Sequence, residues 1–252
     1  MTNTLLITGG ASGIGAETAR RAATRGYCIA VNYRSREAEA QAVVADIKAK
    51  GAQAVAIQAD MGREAEVVRL FADAEKALGP ITHLVNSAGI NGRRGRVDDY
   101  DGAALAEVFA VNVIGLMLCC REATKRMSTE HGGKGGAIVN VSSMAGTLGG
   151  RPGSSAYATS KGAVDAFTKG FAREVAAEGI RVNSVRPGMV LTEMTEGRLS
   201  DAAFRTSIEA SIPMRRIGKA NEIAETILWL LSDDASFITG AMLDAAGGGY
   251  LI

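Results

Sequence analysis

A tyrosine and a lysine stand four residues apart in the stretch SSAYATSKGA, residues 154–163, among otherwise small residues. On a helix, positions i and i+4 share a face one turn apart, so a phenol would lie beside an ammonium group. A free tyrosine, with a pKa near 10, is a poor base at neutral pH. A positive charge about 5 Å away, at an effective dielectric of about 20, favours the phenolate by roughly 3 kcal/mol, or about two pKa units. Tyr157 beside Lys161 is therefore a candidate acid–base group. The chain has only two histidines, His83 and His131, in unrelated contexts, which argues against a histidine triad or a zinc site. An isolated Tyr-x-x-x-Lys would equally describe a half-buried helix tyrosine and a solvated lysine, so the surrounding elements must decide.

A second stretch of chemical character opens the chain. The apolar segment 4–8 (TLLIT) runs into TGGASGIG, residues 8–15, and then into an alanine-rich segment. Gly9, Gly13 and Gly15 follow a G-x-x-x-G-x-G spacing. Glycines let such a turn bend sharply and approach a pyrophosphate, while the following helix N-terminus offers free N–H groups. Strand, glycine turn and helix at the start of an α/β chain is the setting that dinucleotide binding requires.

The pattern downstream supplies the scaffold. Short apolar runs predict strands near 4–8, 28–33, 54–59, 82–86, 137–142, 180–185 and 241–245. Helices are predicted between them, at about 14–25, 36–50, 63–78, 102–128, 157–178 and 220–232, with a weaker stretch at 193–210. Near-continuous apolar strands suit a parallel sheet covered on both faces. Alternating β and α elements imply right-handed crossovers and an α/β, doubly wound Rossmann-type fold with about seven parallel strands. No linker or repeat interrupts the chain, and HGGKGGA at 131–137 reads as the end of a helix. We therefore expect one domain over 1–252, with the cofactor half mainly in 1–90 and the catalytic half in 91–252.

The whole set of motifs resembles the classical short-chain dehydrogenase/reductase family. TGGASGIG resembles its cofactor fingerprint, and NSAG (86–89) its Asn-Asn-Ala-Gly after the fourth strand. Asn112 in VNV matches its helix asparagine, Ser143 in VNVSS its catalytic serine, and YATSK its Tyr-x-x-x-Lys. RPGMVLTEM is similar to its Pro-Gly turn, with Pro187, Gly188, Val190 and the nicotinamide-contacting Thr192. The resemblance implies catalysis by Asn112, Ser143, Tyr157 and Lys161. Tyr157 would exchange a proton with the carbonyl oxygen, and Ser143 would hydrogen-bond it. Lys161 would bind the nicotinamide ribose and lower the Tyr157 pKa, and Asn112 would hold a water linking Lys161 to solvent. The cofactor would further touch Ser12, Ile14, Met61, Asn86, Ala88 and Gly89, with Asp60 at the adenine. Ser87 departs from the pattern, which usually has a second asparagine there, and a local change in hydrogen bonding is expected.

The end of the second strand bears on which cofactor binds. The chain reads AVNYRS, with Tyr33 where NAD-selective members of that family carry aspartate, followed by Arg34. A guanidinium is well shaped to grip a ribose 2′-phosphate, with Ser12 and Ser35 as further donors. NADP(H) is favoured, with NAD(H) possible; the alternative is an Arg34 that only caps an exposed strand end.

Composition narrows the partners. The chain has 28 basic and 27 acidic residues and a formal charge of +1, which supplies no basic face for nucleic acid or a membrane surface. Three cysteines, Cys28, Cys119 and Cys120, lack metal-ligand spacing and read as reduced core thiols of a cytoplasmic protein. The N-terminal apolar run is too short for a signal peptide or a membrane span. Arg198 and Arg205, in a polar segment at about 189–215 that would cover the substrate, are read as a solvated mixed-charge face. The arginines of NGRRGR at 91–96 read as exposed. Small apolar faces on the helices at 102–128 and 157–178 suggest, by family analogy, a homotetramer. The expected substrate is a small carbonyl or alcohol. A 3-oxoacyl-thioester reductase, a sugar (glucose-type) 1-dehydrogenase and a non-catalytic NADP-binding sensor remain open. A general ketone or sugar is preferred because no basic site for a carrier-protein phosphate stands out.

Overall fold

In the computed structural model, which describes residues 3–249, seven parallel strands form one sheet. They are β1 (Asn3–Thr8), β2 (Tyr27–Tyr33), β3 (Ala54–Gln58), β4 (Ile81–Asn86), β5 (Gly136–Val141), β6 (Ile180–Pro187) and, closing the edge, Met242–Ala245. The spatial order runs β3-β2-β1-β4-β5-β6 and then the Met242–Ala245 strand. The winding direction reverses between β1 and β4, and a crevice therefore opens beyond their carboxyl ends.

Why the sheet is covered on both faces follows from period two along β1. Leu5 and Ile7 face one side and Leu6 the other, and all three are fully buried. On the first side they meet helices α1 (Gly13–Ala22), α2 (Glu37–Ala49) and the helix Ala220–Leu231. On the second they meet α3 (Glu64–Leu78), the helix Leu116–Met127 and the long helix Ser155–Val175. Each fully buried Leu or Ile contributes about 1.5–3 kcal/mol. The three cysteines are free and buried.

The single helix expected at 102–128 is divided. It runs as α4 (Gly102–Phe109), one π-helical turn at Ala110–Gly115, and α5 (Leu116–Met127). The cause is a close approach: a Cβ on Gly115 would lie 2.2 Å from the Met61 carbonyl oxygen. The wider turn also carries Asn112 to the crevice, a placement in keeping with the frequency of π-bulges at functional sites. The whole run Gly102–Met127 is long and apolar enough to cross a membrane by length and composition, but 44% of its most apolar window is buried within the fold.

The remaining helices are α6 (Ala145–Leu148), α7 (Ser155–Val175), α8 (Glu193–Leu199), α9 (Ala202–Ser211) and α10 (Ala220–Leu231). The stretch expected at 193–210 breaks between α8 and α9 because Asp201 caps α9, accepting from the Ala203 and Phe204 N–H groups at 2.9 and 3.2 Å. Two short strands, β7 (Val190–Leu191) and β8 (Gly218–Lys219), pair at the roots of this segment, and β9 (Met242–Ala245) completes the count. Leu199, Ile208, Ile212 and Ile217 give the segment a small apolar cluster of its own.

Gly115→Ala tests the close approach. A Cβ driven against the Met61 backbone forces the π turn off the crevice wall, at about 1–3 kcal/mol for overpacking. We expect the Tm to fall by roughly 2–10 °C for a chain of this size, read by scanning calorimetry.

Candidate active site

The phosphate turn is held by glycine and by a buried asparagine. Gly9 adopts φ +63°, and a Cβ there would lie 2.8 Å from Ala88 Cα. A Cβ on Gly15 would lie 2.4 Å from the Gly9 carbonyl oxygen, so the turn closes against its own helix. Asn32, on β2, accepts from the Gly9 N–H through Oδ1 at 3.1 Å and donates from Nδ2 to the Ala59 carbonyl at 3.0 Å. Thr8 Oγ1 accepts from the Ser87 and Ala88 N–H groups, each at 3.1 Å, which fixes the β4 loop where the usual asparagine is replaced by serine.

These contacts frame a groove of about 370 Å3 at the crevice. Gly9, Ser12, Ala88 and Gly89 line its floor, and Tyr33, Arg34 and Ser35 line its outer end. Asp60 and Met61 flank it, with the Asp60 Oδ1 accepting from the Gly62 N–H at 2.9 Å. Gly13, at φ +52°, faces Thr192: a Cβ there would meet the Thr192 methyl at 3.3 Å. Thr192 starts α8 and Val190 is buried beneath it. Pro187 and Gly188 bind backbone, the Pro187 carbonyl accepting from the Met144 N–H at 3.0 Å and the Gly188 N–H donating to Ala245 at 3.1 Å. Ile14 packs into the core. The Asn86 side chain also turns inward, donating to Asn140 Oδ1 at 2.9 Å, and its own Oδ1 has no partner among the described residues.

Next to the Gly89 end of the groove, α7 and the β5–α6 loop bring Ser143, Tyr157 and Lys161 together. Gly146 on α6 lies so close to α7 that a Cβ would sit 2.8 Å from the Lys161 carbonyl carbon. That approach sets Ser143 beside Tyr157, near enough for its hydroxyl to favour the phenolate. Ser143 Oγ also accepts from the Ala145 N–H at 3.1 Å. The Tyr100 hydroxyl accepts from the Ala156 N–H at 3.2 Å and fixes the start of α7. Lys161 donates from Nζ to the Val141 carbonyl at 2.8 Å and lies 5.7 Å from the centre of the Tyr157 ring. Gly89 borders both groups: a Cβ there would lie 3.4 Å from Asn112 Oδ1 and 3.5 Å from Lys161 Nζ.

Asn112 and Lys161 are both partnered within the protein. Asn112 binds protein: its Oδ1 accepts from the Ile90 N–H at 2.8 Å, and its Nδ2 donates to the Ile90 carbonyl at 2.9 Å and to Ser160 Oγ at 3.0 Å. Both amide hydrogens are thereby used, so Asn112 first of all braces the π turn to the β4 loop. Nor does Lys161 lower the Tyr157 pKa in this state. Burial raises it, and the Ser143 hydrogen bond offsets that in part. The ammonium sits over the ring and donates to the Val141 carbonyl. Burial also lowers Lys161 from its usual value to about 8, with Asp165 one turn along α7 acting in the opposite direction.

Sequence reasoning missed Asn32, whose signal was a lone amide inside an apolar strand. It also missed Arg36, which lines the outer end beside Arg34. The groove fits a dinucleotide: glycines stand where a Cβ would strike backbone, and the outer end offers two guanidinium groups and two hydroxyls.

The comparisons agree with this geometry. A family model described as enoyl-(acyl carrier protein) reductase matches residues 9–250. The chain belongs to the short-chain dehydrogenase/reductase family. It is 46% identical over 244 residues to an uncharacterised oxidoreductase of Escherichia coli, covering 96% of this chain and 98% of that one. It is 37% identical to a 3-oxoacyl-(acyl-carrier-protein) reductase of Staphylococcus aureus, covering 100% and 99%. Among solved structures, a short-chain dehydrogenase of Burkholderia cenocepacia in complex with NADP superposes with a TM-score of 0.89 at 34% identity, covering 98% and 97%.

Replacing the buried ammonium separates stability from function. A lysine whose folded pKa falls below its unfolded value destabilises the fold fully below pH 8, and the penalty fades as pH rises toward 10.5. Lys161→Met should therefore raise the Tm of the cofactor-free protein at pH 7 while abolishing turnover. The Tm gap to wild type should close between pH 8 and 10.5, as measured by calorimetry across that range.

Proposed function

We propose that this protein is an NADP(H)-dependent oxidoreductase that moves a hydride between the nicotinamide and a carbonyl/alcohol pair, with Tyr157 as the acid–base group. The observation that carries the reading is Ser143 beside Tyr157, with Lys161 5.7 Å from the centre of the phenol ring, next to Gly89 of a groove that Arg34 and Arg36 also line. The cofactor, when bound, supplies the hydride.

Each side chain then has a role. Tyr157 gives its proton to the carbonyl oxygen during reduction and takes it back during oxidation. Ser143 donates to the same oxygen and stabilises its developing charge. Lys161 holds the ribose hydroxyls, with Asn112 bracing the wall beside it. Ser12, Arg34, Ser35 and Arg36 receive a ribose 2′-phosphate, which favours NADP(H) over NAD(H). The named NADP complex of the Burkholderia relative supports that preference.

The name of the Staphylococcus relative favours a 3-oxoacyl thioester as one substrate class. A non-catalytic sensor is disfavoured because Ser143, Tyr157 and Lys161 are all present and assembled. We further propose one domain over 1–252 divided as the sequence suggests, a lid at about 189–215, a cytoplasmic location and a homotetramer. Ile114 and Met117, exposed on the helices after the crevice, are available for pairing.

Tyr157→Phe should reduce kcat/KM with ketones by about 10²–10⁴, the usual worth of a general acid, while the Kd for NADPH stays within a factor of two. Undiminished turnover would end the enzyme reading. Arg34→Asp should shift the NADPH-to-NADH ratio of kcat/KM by tenfold or more, the size of one charge-assisted hydrogen bond. An unchanged ratio would remove the cofactor assignment.

A further inference from the structure

Two arginine-bearing segments that look unrelated in sequence meet in the fold. Arg94, from the β4–α4 loop, donates from Nε and Nη2 to Ser154 Oγ at 3.0 and 2.8 Å, and from Nη2 to the Pro152 carbonyl at 3.3 Å. The Gly95 N–H donates to the Gly153 carbonyl at 3.2 Å and ties the two loops together. Ser154 immediately precedes α7, so Arg94 is held about one helical turn from Tyr157. From the same loop Arg151 reaches across to the lid, its guanidinium carbon 5.2 Å from the centre of the Phe204 ring. Arg198, on α8, lies 4.7 Å from that same centre. Two guanidinium groups thus flank one aromatic side chain, and Arg94, from a third element, is near enough to both to act on their charge.

No carboxylate neutralises them. Among the described residues none of the three has a salt bridge, whereas neighbouring Arg96 pairs with Asp98 and Arg205 with Glu209, each at 3.0 Å. Asp201 is taken up in capping α9, and Glu193 faces Gly13. Burial first and then Arg94 lower the Arg151 pKa, and Arg198 is lowered by burial and then by Arg94 and Arg151, so the charges acting on these two are other guanidinium groups. Arg151 and Arg198 donate no hydrogen bond to protein among the described residues. A guanidinium against an aromatic ring keeps its planar fork of N–H donors free at the edge. Repelling cations with free forks are the chemistry of an anion site.

We propose that Arg94, Arg151 and Arg198 form an anion-binding site at the mouth of the active site, so that the substrate is a small carbonyl compound carrying a carboxylate or phosphate. The substrate part of this inference rests on the reductase reading above. The anion sits beside the start of α7, the helix that carries Tyr157. Binding it draws Arg198 and Phe204 of the lid onto Arg94 and Arg151, which closes the segment over the carbonyl.

The test compares 5-oxohexanoate with its methyl ester as substrates under saturating NADPH. Wild type should prefer the anion about thirtyfold in kcat/KM, within the range for charge-assisted hydrogen bonds. In Arg151→Gln and Arg198→Gln the preference should collapse toward one, and Arg151→Lys should restore part of it. Equal kcat/KM for the two ketones in wild type would overturn the proposal, as would a variant that loses both substrates in proportion. A binding arm follows the Tm rise given by glutarate or by glycerol phosphate with NADP+ saturating, and the stronger ligand tells carboxylate from phosphate. A Tm rise that is unchanged in Arg151→Gln, or absent in wild type, also overturns the site. If neither ketone is reduced but the Tm rise still depends on Arg151, the anion site stands and the reductase reading alone falls.

Discussion

The active crevice exists because backbones touch at places where no side chain intervenes. Gly9 packs on Ala88, Gly115 on Met61 and Gly146 on the Lys161 backbone. In each pair the neighbour is main chain, which cannot swing aside as the end of a flexible side chain can. The three approaches join β1 to β4, the π turn to the β3 loop, and α6 to α7. They set the distances among Ser143, Tyr157 and Lys161 before any ligand arrives.

Burial then governs the charges that this framework holds. Tyr157 rises and Lys161 falls to about 8 because each loses water in its ionised form. The low polarity that would strengthen attraction between them also penalises both ions, and the penalty comes first. A Coulomb estimate made from sequence spacing counts the attraction and omits the desolvation. That omission is why the spacing alone predicts a fall for the tyrosine where burial in the cofactor-free protein raises it.

Much of the site was legible because its motifs are local. The glycine turn, Ser143 and Tyr-x-x-x-Lys each lie on one element, and apolar strands alternating with helices give the sheet. What was hidden is non-local. Asn32 matters only because β1, β2 and β3 lie side by side, so that one amide reaches Gly9 and Ala59 together. The π turn answers to Met61, more than fifty residues away in the chain. Arg94, Arg151 and Arg198 each look like ordinary exposed charges, and that none of them forms a salt bridge among the described residues emerges only after folding. Local composition was misleading there: Glu193 and Asp201 are near Arg198 in sequence but are committed elsewhere.

The pairing of β7 with β8 ties together the two roots of the chain from Val190 to Lys219, and the enclosed residues pack a private apolar cluster. Such an excursion is closed at its neck, so its length is uncoupled from the register of the seven strands below. Doubling a flexible loop adds only about 0.6 kcal/mol of closure entropy. Residues can therefore be inserted or removed beyond the neck, remodelling what the chamber admits, while the platform that carries the chemistry keeps its geometry.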